Sequence, residues 1–444
     1  MLRVGIADED TENPVYTQLD SIDLRQVIEW NDRIQIDGQA YTDELLESCA
    51  RRHGQLWPET SIRPVWKATV HQVSGDKATK STSLDVAFAF HHALSDGRAA
   101  LIFHRDLLAE LIKADTEKGD GENHILKLQA PTDFPAAYES LVPFTISTPF
   151  MLKTLWNELV WKGLGPSFLK ARPDPKKDPW TGNRITLEPI KTNIRLLHLT
   201  SSTLGLLLTA CRKHKTTLTP LTHALVLASL SSRLPELQAA TFSTTTPISL
   251  RHMTDSSFDR NLIHCLVTGF NHTYTPTTTA SIRAAKAASA DDPSAFDEAI
   301  WAAALDLGTA LKSRVATLPA DDPIALLKYV SDTRRFWLSK VGKVRERTWE
   351  VSNIGSLKPA DANPTKSVVG SDDGDDNWKI TRAIFTQGAS PRGAAFDVNV
   401  AGVEGEGIWI TMNWQETILD KDLIDGVVED VKTMCGKFER EGRF

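Results

Sequence analysis

The sequence predicts an α+β protein with mixed sheets, organised as two domains. Three observations carry that expectation. Its 444 residues exceed what a single core usually serves. Long helical and strand-like runs are mixed without the strict βαβ alternation of a doubly wound sheet. Composition breaks once: Pro166, Pro173, Pro175, Pro179 and Pro189, with Lys176-Lys177, leave the stretch between Gly163 and Lys191 extended and poor in hydrogen bonds. The expected division is an N-terminal domain over 1–165, a crossover linker over 166–192 and a C-terminal domain over 193–444.

Leu2 to Ala7 reads as a strand already under way at residue 2. Thr42-Asp43-Glu44 opens a helix to about residue 53, with Leu45, Leu46 and Cys49 at helical spacing. Pro64 to Val73 alternates as a strand, and the apolar run Leu84 to His92 is a second one. A helix carrying Leu101, Ile102, Leu107, Leu108 and Leu111 follows Asp96-Gly97, and 114–123 is a surface loop. Past the linker, Ile194 to Leu199 is a strand, and Ser202 caps a helix reaching about Lys213. Thr219-Pro220 supplies an N-cap and a first-turn proline for a helix from Leu221 to Arg233. Strands are expected at 241–248, 262–271, 347–353, 378–386, 394–402 and 407–414. Helices are expected at about 279–288, 293–316 and 323–340, and a last one runs from Asp420 to about Phe438.

Composition narrows the function classes. Hydrophobic residues make up 41% and charged residues 24%, as in an ordinary globular protein. The net charge of −7, without a basic block, argues against nucleic acid and anionic membranes as partners. Cys49, Cys211, Cys265 and Cys435 are scattered, so reduced thiols are expected, with no disulfide framework and no metal site. No apolar run approaches the ~18 residues of a membrane span, and no signal peptide is seen, so a cytoplasmic protein is expected. Neither GxGxxG nor GxxxxGK[ST] is present. The acidic run Asp372-Asp373-Gly374-Asp375-Asp376 lacks calcium-loop spacing and reads as a solvated loop.

The chemistry concentrates at His91-His92-Ala93-Leu94-Ser95-Asp96-Gly97, where a buried strand ends on two histidines and turns into a helix. By period two, His92 shares a side with Leu84, Val86, Phe88 and Phe90, and His91 lies on the other. If pairing runs to the end, one of the two serves a given pocket. A neutral imidazole there is a good general base, because it titrates near working pH. It could deprotonate a hydroxyl or amine for attack on an activated acyl group. Asp96, just ahead of Gly97 at a tight turn, suits a structural role bound to a distant arginine.

The complete HHxxxDG pattern resembles the HxxxD acyltransferase superfamily, and most closely its fungal alcohol acetyltransferase-like branch, which includes trichothecene O-acetyltransferases. That resemblance implies two chloramphenicol-acetyltransferase-like domains with a tunnel between them and His92 as the catalytic base, with Gly97 completing the motif. Asp96 would hold the loop and point away from the substrate. Thr246-Pro247-Ile248-Ser249-Leu250-Arg251 is similar to the segment whose arginine pairs with the motif aspartate, which makes Arg251 the expected partner of Asp96. Glu350-Val351-Ser352-Asn353-Ile354-Gly355 resembles the branch's EVSNxG strand, so Ser352 and Asn353 are candidates for contacting an oxyanion or the coenzyme A arm. Gln387 and Ser390, in Gln387-Gly388-Ala389-Ser390-Pro391, fit a segment crossing between domains and, with His91, complete the candidate substrate- or CoA-binding set. The branch also implies a helix and further residues ahead of Leu2, so the first elements of the N-terminal domain are expected to be missing.

The expected activity is transfer of an acyl group, chiefly acetyl, from acyl-CoA to a hydroxyl of a small hydrophobic, secondary-metabolite type of acceptor. No bound cofactor is implied, and a monomer is the default. Two alternatives stand beside it: a condensation-type enzyme that takes its acyl group from a carrier protein, and a non-catalytic binding protein on the same fold.

Overall fold

The computed structural model describes residues 1–33, 38–74, 82–114, 124–129, 134, 136–156, 178–358, 378–390 and 393–444. The first part of the expected linker, the loop from 115 and the acidic run Asp372–Asp376 lie outside them.

The chain opens on short strands β1 (Val4–Ala7), β2 (Val15–Gln18) and β3 (Ser21–Asp23) and a single helical turn, α1 (Leu24–Val27). Strand β4 (Ile28–Arg33), helix α2 (Gly38–His53), strands β5 (Trp66–Ser74) and β6 (Thr82–Phe90), and helix α3 (Gly97–Ala114) follow. β4, β5 and β6 form a mixed three-stranded sheet, with β4 parallel and β6 antiparallel to β5. β7 (Ile125–Lys127) pairs with β3, and the short helices α4 (Tyr138–Leu141) and α5 (Thr148–Leu155) come next.

The later half starts with β8 (Thr192–Leu199), α6 (Ser201–Lys213), α7 (Leu218–Arg233), β9 (Phe242–Ser249) and β10 (Val267–Tyr274). Helices α8 (Pro276–Ala288), α9 (Pro293–Thr317) and α10 (Thr333–Leu338) lead to β11 (Trp349–Leu357), β12 (Phe396–Val403), β13 (Gly407–Gln415) and α11 (Lys421–Glu441). The six strands lie in the order β10-β9-β11-β12-β13-β8. β11 is parallel to both β9 and β12, and the other pairs are antiparallel.

Strand periodicity splits the large sheet into two unlike faces. Trp349, Val351, Phe396, Val398, Ile410 and Met412 point one way, into the main hydrophobic core beneath the helices. α7 runs through that core buried on every side from Pro220 to Ser231, which is why it carries no polar stripe. The alternate positions, Glu350, Ser352, Asp397, Asn399, Thr411 and Asn413, form a polar face on the other side. Polar residues survive in central strands because they bond to one another and to the chain above them: Asn399 Nδ2 donates to Thr411 Oγ1 at 3.2 Å.

Several boundaries differ from the sequence expectation, each for a local reason. Thr200, not Ser202, caps α6, accepting from the Thr203 amide. α7 begins at Leu218 with Thr217 as cap, so Pro220 sits at the third position, where its missing N–H is still no loss. The expected helix over 323–340 is a 3-10 helix, Pro323–Tyr329, then the separate α10. The strand expected from 262 starts at Val267, because the Leu262 and His264 carbonyls accept from Arg251 and the Leu266 amide donates to Asp96. Residues 378–386 are extended but join no ladder. They lie over the polar face of the sheet, whose side chains reach up to them: Thr411 Oγ1 donates to the Phe385 carbonyl at 2.6 Å and Asn413 Nδ2 to that of Gln387 at 2.7 Å.

Candidate active site

A cavity of about 2800 Å³ is lined by β6 and α3 on one side and by the polar face of the large sheet and the 378–390 segment on the other. The histidine turn opens into it. Strand pairing stops two residues earlier than the expected strand end at His92, at Phe90 opposite Trp66, and a last bond from the His91 amide to the Val65 carbonyl closes it. Because the chain has left the ladder, His91 and His92 both line the cavity instead of facing opposite ways.

The two imidazoles are held differently. His91 Nδ1 accepts from the Ala93 amide at 3.1 Å, and burial pushes the ring's pKa down, so the turn keeps it neutral. His92 is exposed to the cavity, with Nδ1 3.8 Å from Cys265 Sγ. Burial pushes the Cys265 thiol up to about 12, which keeps it protonated. With its Nδ1 edge against that sulfur, Nε2 is the other ring nitrogen and the candidate base. Cys265 is a site residue that the sequence does not flag, because it lies 173 residues from His92 in an apolar stretch.

Asp96 and Gly97 build the turn rather than line up on substrate. Asp96 is 4% exposed. One carboxylate oxygen caps α3 by accepting from the Ala99 amide at 3.0 Å; the other accepts from Arg251 Nη1 at 2.5 Å and from the Leu266 amide at 2.9 Å. Arg251, itself buried, also donates through Nη2 to the His264 carbonyl at 2.7 Å. The Tyr16 hydroxyl holds the middle of the turn by donating to the Ala93 carbonyl at 2.6 Å. Gly97 is a matter of space: a Cβ there would lie 2.6 Å from Ile354 Cγ2 and 3.0 Å from Phe385 Cζ. Arg98 Nη1 donates to the Ile354 carbonyl at 3.2 Å, so the start of α3 rests directly on β11.

The remaining candidates divide. Ser352 is 8% exposed and lines the cavity. Asn353 does not join it, which corrects the sequence expectation. Strand alternation turns it away from Glu350 and Ser352, a bulge follows it, and its amide is used locally: Nδ2 donates to Thr219 Oγ1 at 3.1 Å and Oδ1 accepts from the Gly355 amide at 3.0 Å. Gln387 lines the cavity with Nε2 donating to Asn399 Oδ1 at 2.7 Å and to Glu350 Oε1 at 3.3 Å. Ser390 lines it too; its Oγ accepts from the Gly393 amide and its carbonyl from Arg345. Among the described residues no group of three or more His, Cys, Asp or Glu is placed to hold a metal ion, and no helix is long and apolar enough to cross a membrane.

This geometry has relatives. A probable alcohol acetyltransferase of Fusarium pseudograminearum is 29% identical over 447 aligned residues, covering 99% of this chain and 84% of that protein. Another from Aspergillus fumigatus is 23% identical, covering 97% and 86%. Trichothecene 15-O-acetyltransferase from Fusarium sporotrichioides superposes with a TM-score of 0.65 at 11% identity, over 100% of this chain and 83% of that one. The first condensation domain of the calcium-dependent antibiotic synthetase gives 0.55 at 12% identity, over 100% and 85%. These structural likenesses speak for the fold. The sequence profile of alcohol acetyltransferases matches residues 12–429, a single span holding the histidine turn, Arg251 and the whole of β11. The chain therefore belongs to the alcohol acetyltransferase family and is an acyltransferase.

Proposed function

We propose that the protein transfers an acyl group, chiefly acetyl, from free acyl-CoA to a hydroxyl of a small hydrophobic acceptor, with His92 as general base. The observation that carries this reading is the place of His92: exposed to the cavity at the end of the buttressed turn, with its Nδ1 edge against Cys265, so that Nε2 is the nitrogen proposed to meet the acceptor. The acceptor O–H passes its proton to Nε2 as the oxygen attacks the thioester carbonyl. The tetrahedral oxyanion collapses, the C–S bond breaks, and the departing thiolate takes the proton back from His92. Ser352, on the cavity floor, is the donor proposed for the oxyanion. Arg184, Lys343 and Arg347 line the same cavity and suit the phosphates of coenzyme A.

The division into 1–165, 166–192 and 193–444 belongs to this proposal. It is supported by a large sheet built wholly from residues 192 onward and a small one built from residues 28–90. A cytoplasmic, monomeric enzyme is part of the same reading.

The test compares wild type with His92→Ala on acetyl-CoA and a panel of alcohols, following thiol release and ester mass. The variant should keep its far-UV spectrum and lose about 10²–10⁴-fold in rate. Near-wild-type turnover by His92→Ala would sink the assignment. Activity without any carrier protein separates this reading from a condensation-type enzyme.

A further inference from the structure

We propose that His104 is a specificity-determining residue of the cavity: its imidazole, set in the apolar wall that α3 supplies, hydrogen-bonds a second polar group, a hydroxyl or a carbonyl, on the acceptor. The proposal rests on the acyl-transfer reading above and narrows its acceptor to hydrophobic alcohols that carry such a group well away from the reacting oxygen.

α3 leaves the histidine turn and lines the cavity along one stripe. Gly97, Leu101, His104, Leu108 and Leu111 recur at steps of four and three, the spacing that places side chains on one helix face, and all five line the cavity. That row is apolar except at His104. The roll of the helix is fixed from its neighbouring side, where Phe103 stacks on Phe88 of β6 with ring centroids 3.8 Å apart. His104 follows Gly97 by seven residues, about 10 Å along the helix axis, so the two polar groups of the acceptor would be separated by a comparable distance.

The His104 imidazole has no hydrogen-bonding task inside the protein. Among the described residues its ring neighbour is Phe103, edge-on at 5.3 Å between centroids, and no hydrogen-bond or ion-pair partner is found for it. Burial pushes it down to about 4, so the ring is neutral and offers one N–H donor and one nitrogen acceptor. Polar groups elsewhere in the cavity wall are engaged instead. The Tyr41 hydroxyl and Arg382 Nη2 both donate to Asp85, the arginine at 2.6 Å. His53 Nε2 lies 2.9 Å from Thr386 Oγ1, and Asp322 accepts from Thr268 Oγ1 and Arg314 Nη2, each at 2.8 Å. An unpaired imidazole in an apolar wall disfavours a purely hydrocarbon ligand and favours one whose polar group reaches it.

The experiment compares n-octanol with the terminal diol of the same chain length, whose second oxygen spans a comparable distance when extended; hexanediol and decanediol bracket that span. Binding to the full chain is measured by titration calorimetry. Wild type should hold the best diol about tenfold more tightly than the matching alcohol, and His104→Leu should bring the two to parity or favour the alcohol. His104→Gln, which keeps a donor and an acceptor, should retain part of the preference. If His104→Leu does not fold, His104→Phe carries the same comparison. With acetyl-CoA present, the diol-to-alcohol ratio of kcat/KM should move in the same direction, whereas a merely structural role lowers both rates and leaves the ratio alone. The same ratio in wild type and the apolar variant, or binding of neither compound at any chain length, overturns the proposal. Selective diol binding without acetyl transfer to the diol leaves the subsite standing and overturns the acyl-transfer reading instead.

Discussion

Both carboxylate oxygens of Asp96 are engaged inside the protein, which decides what its loss should do. Asp96→Ala strands the buried Arg251 guanidinium and uncaps α3 together. The expected cost is about 3–5 kcal/mol from the broken buried pair, with about 1 kcal/mol more from the cap. Urea unfolding of Asp96→Ala and of the double variant Asp96→Ala/Arg251→Met checks this; the double variant should recover part of the loss, and an unaffected midpoint in the single variant refutes it. This strut shows what one sequence can and cannot display. The histidine turn is legible because strand, turn residues and helix follow one another locally. Arg251 lies 155 residues from Asp96 and is identifiable by resemblance alone. Cys265 meets His92 through the fold, and no spacing along the chain points to that contact. Asn353 was misassigned although the alternation of β11 already separates it from Glu350 and Ser352.

At the scale of elements, the seat of α3 on β11 depends on an absent side chain. Gly97→Ala drives a methyl into Ile354 Cγ2 and Phe385, and should cost about 1–3 kcal/mol. Thermal unfolding of Gly97→Ala alone and combined with Ile354→Ala measures it; the smaller neighbour should relieve most of the damage, and full stability of the single variant contradicts the steric account. Most long elements were readable from periodicity, as the ranges of α3, α9, β12 and β13 show. The misses share one cause. Residues 262–266 and 378–386 have strand-like patterns, but side chains of Arg251, Asp96 and Thr411 supply hydrogen bonds to them, and no ladder forms. Periodicity reports which side of a segment is apolar, not who satisfies its backbone.

For the whole molecule, histidines held neutral set the acid side of stability: His223 in the core, and half-buried His53 and His104 in the cavity wall. Burial pushes His53 and His104 down to about 4 and His223 to about 3. His223 has its neutral form fixed in the core, where Nδ1 accepts from Trp349 Nε1 at 2.9 Å. An unfolded histidine titrates near ~6.5, so below that pH the unfolded chain binds protons that the folded one refuses. Stability is therefore full above about pH 6.5 and falls as pH drops toward 4, by on the order of 1 kcal/mol per histidine at about pH 5. The raised carboxyls of Glu350 and Asp397 act with the opposite sign. His104→Gln should flatten the decline between neutral pH and about pH 5 in urea midpoints; an unchanged slope contradicts the assignment. The resting place of Gly97 has a mechanical consequence as well. Clamped by Ile354 on one side and by Arg251 on the other, the turn after β6 is anchored to the large sheet although its chain comes from the small one. If the walls of the cavity breathe to admit two substrates, the base and the first turn of α3 ride with the floor.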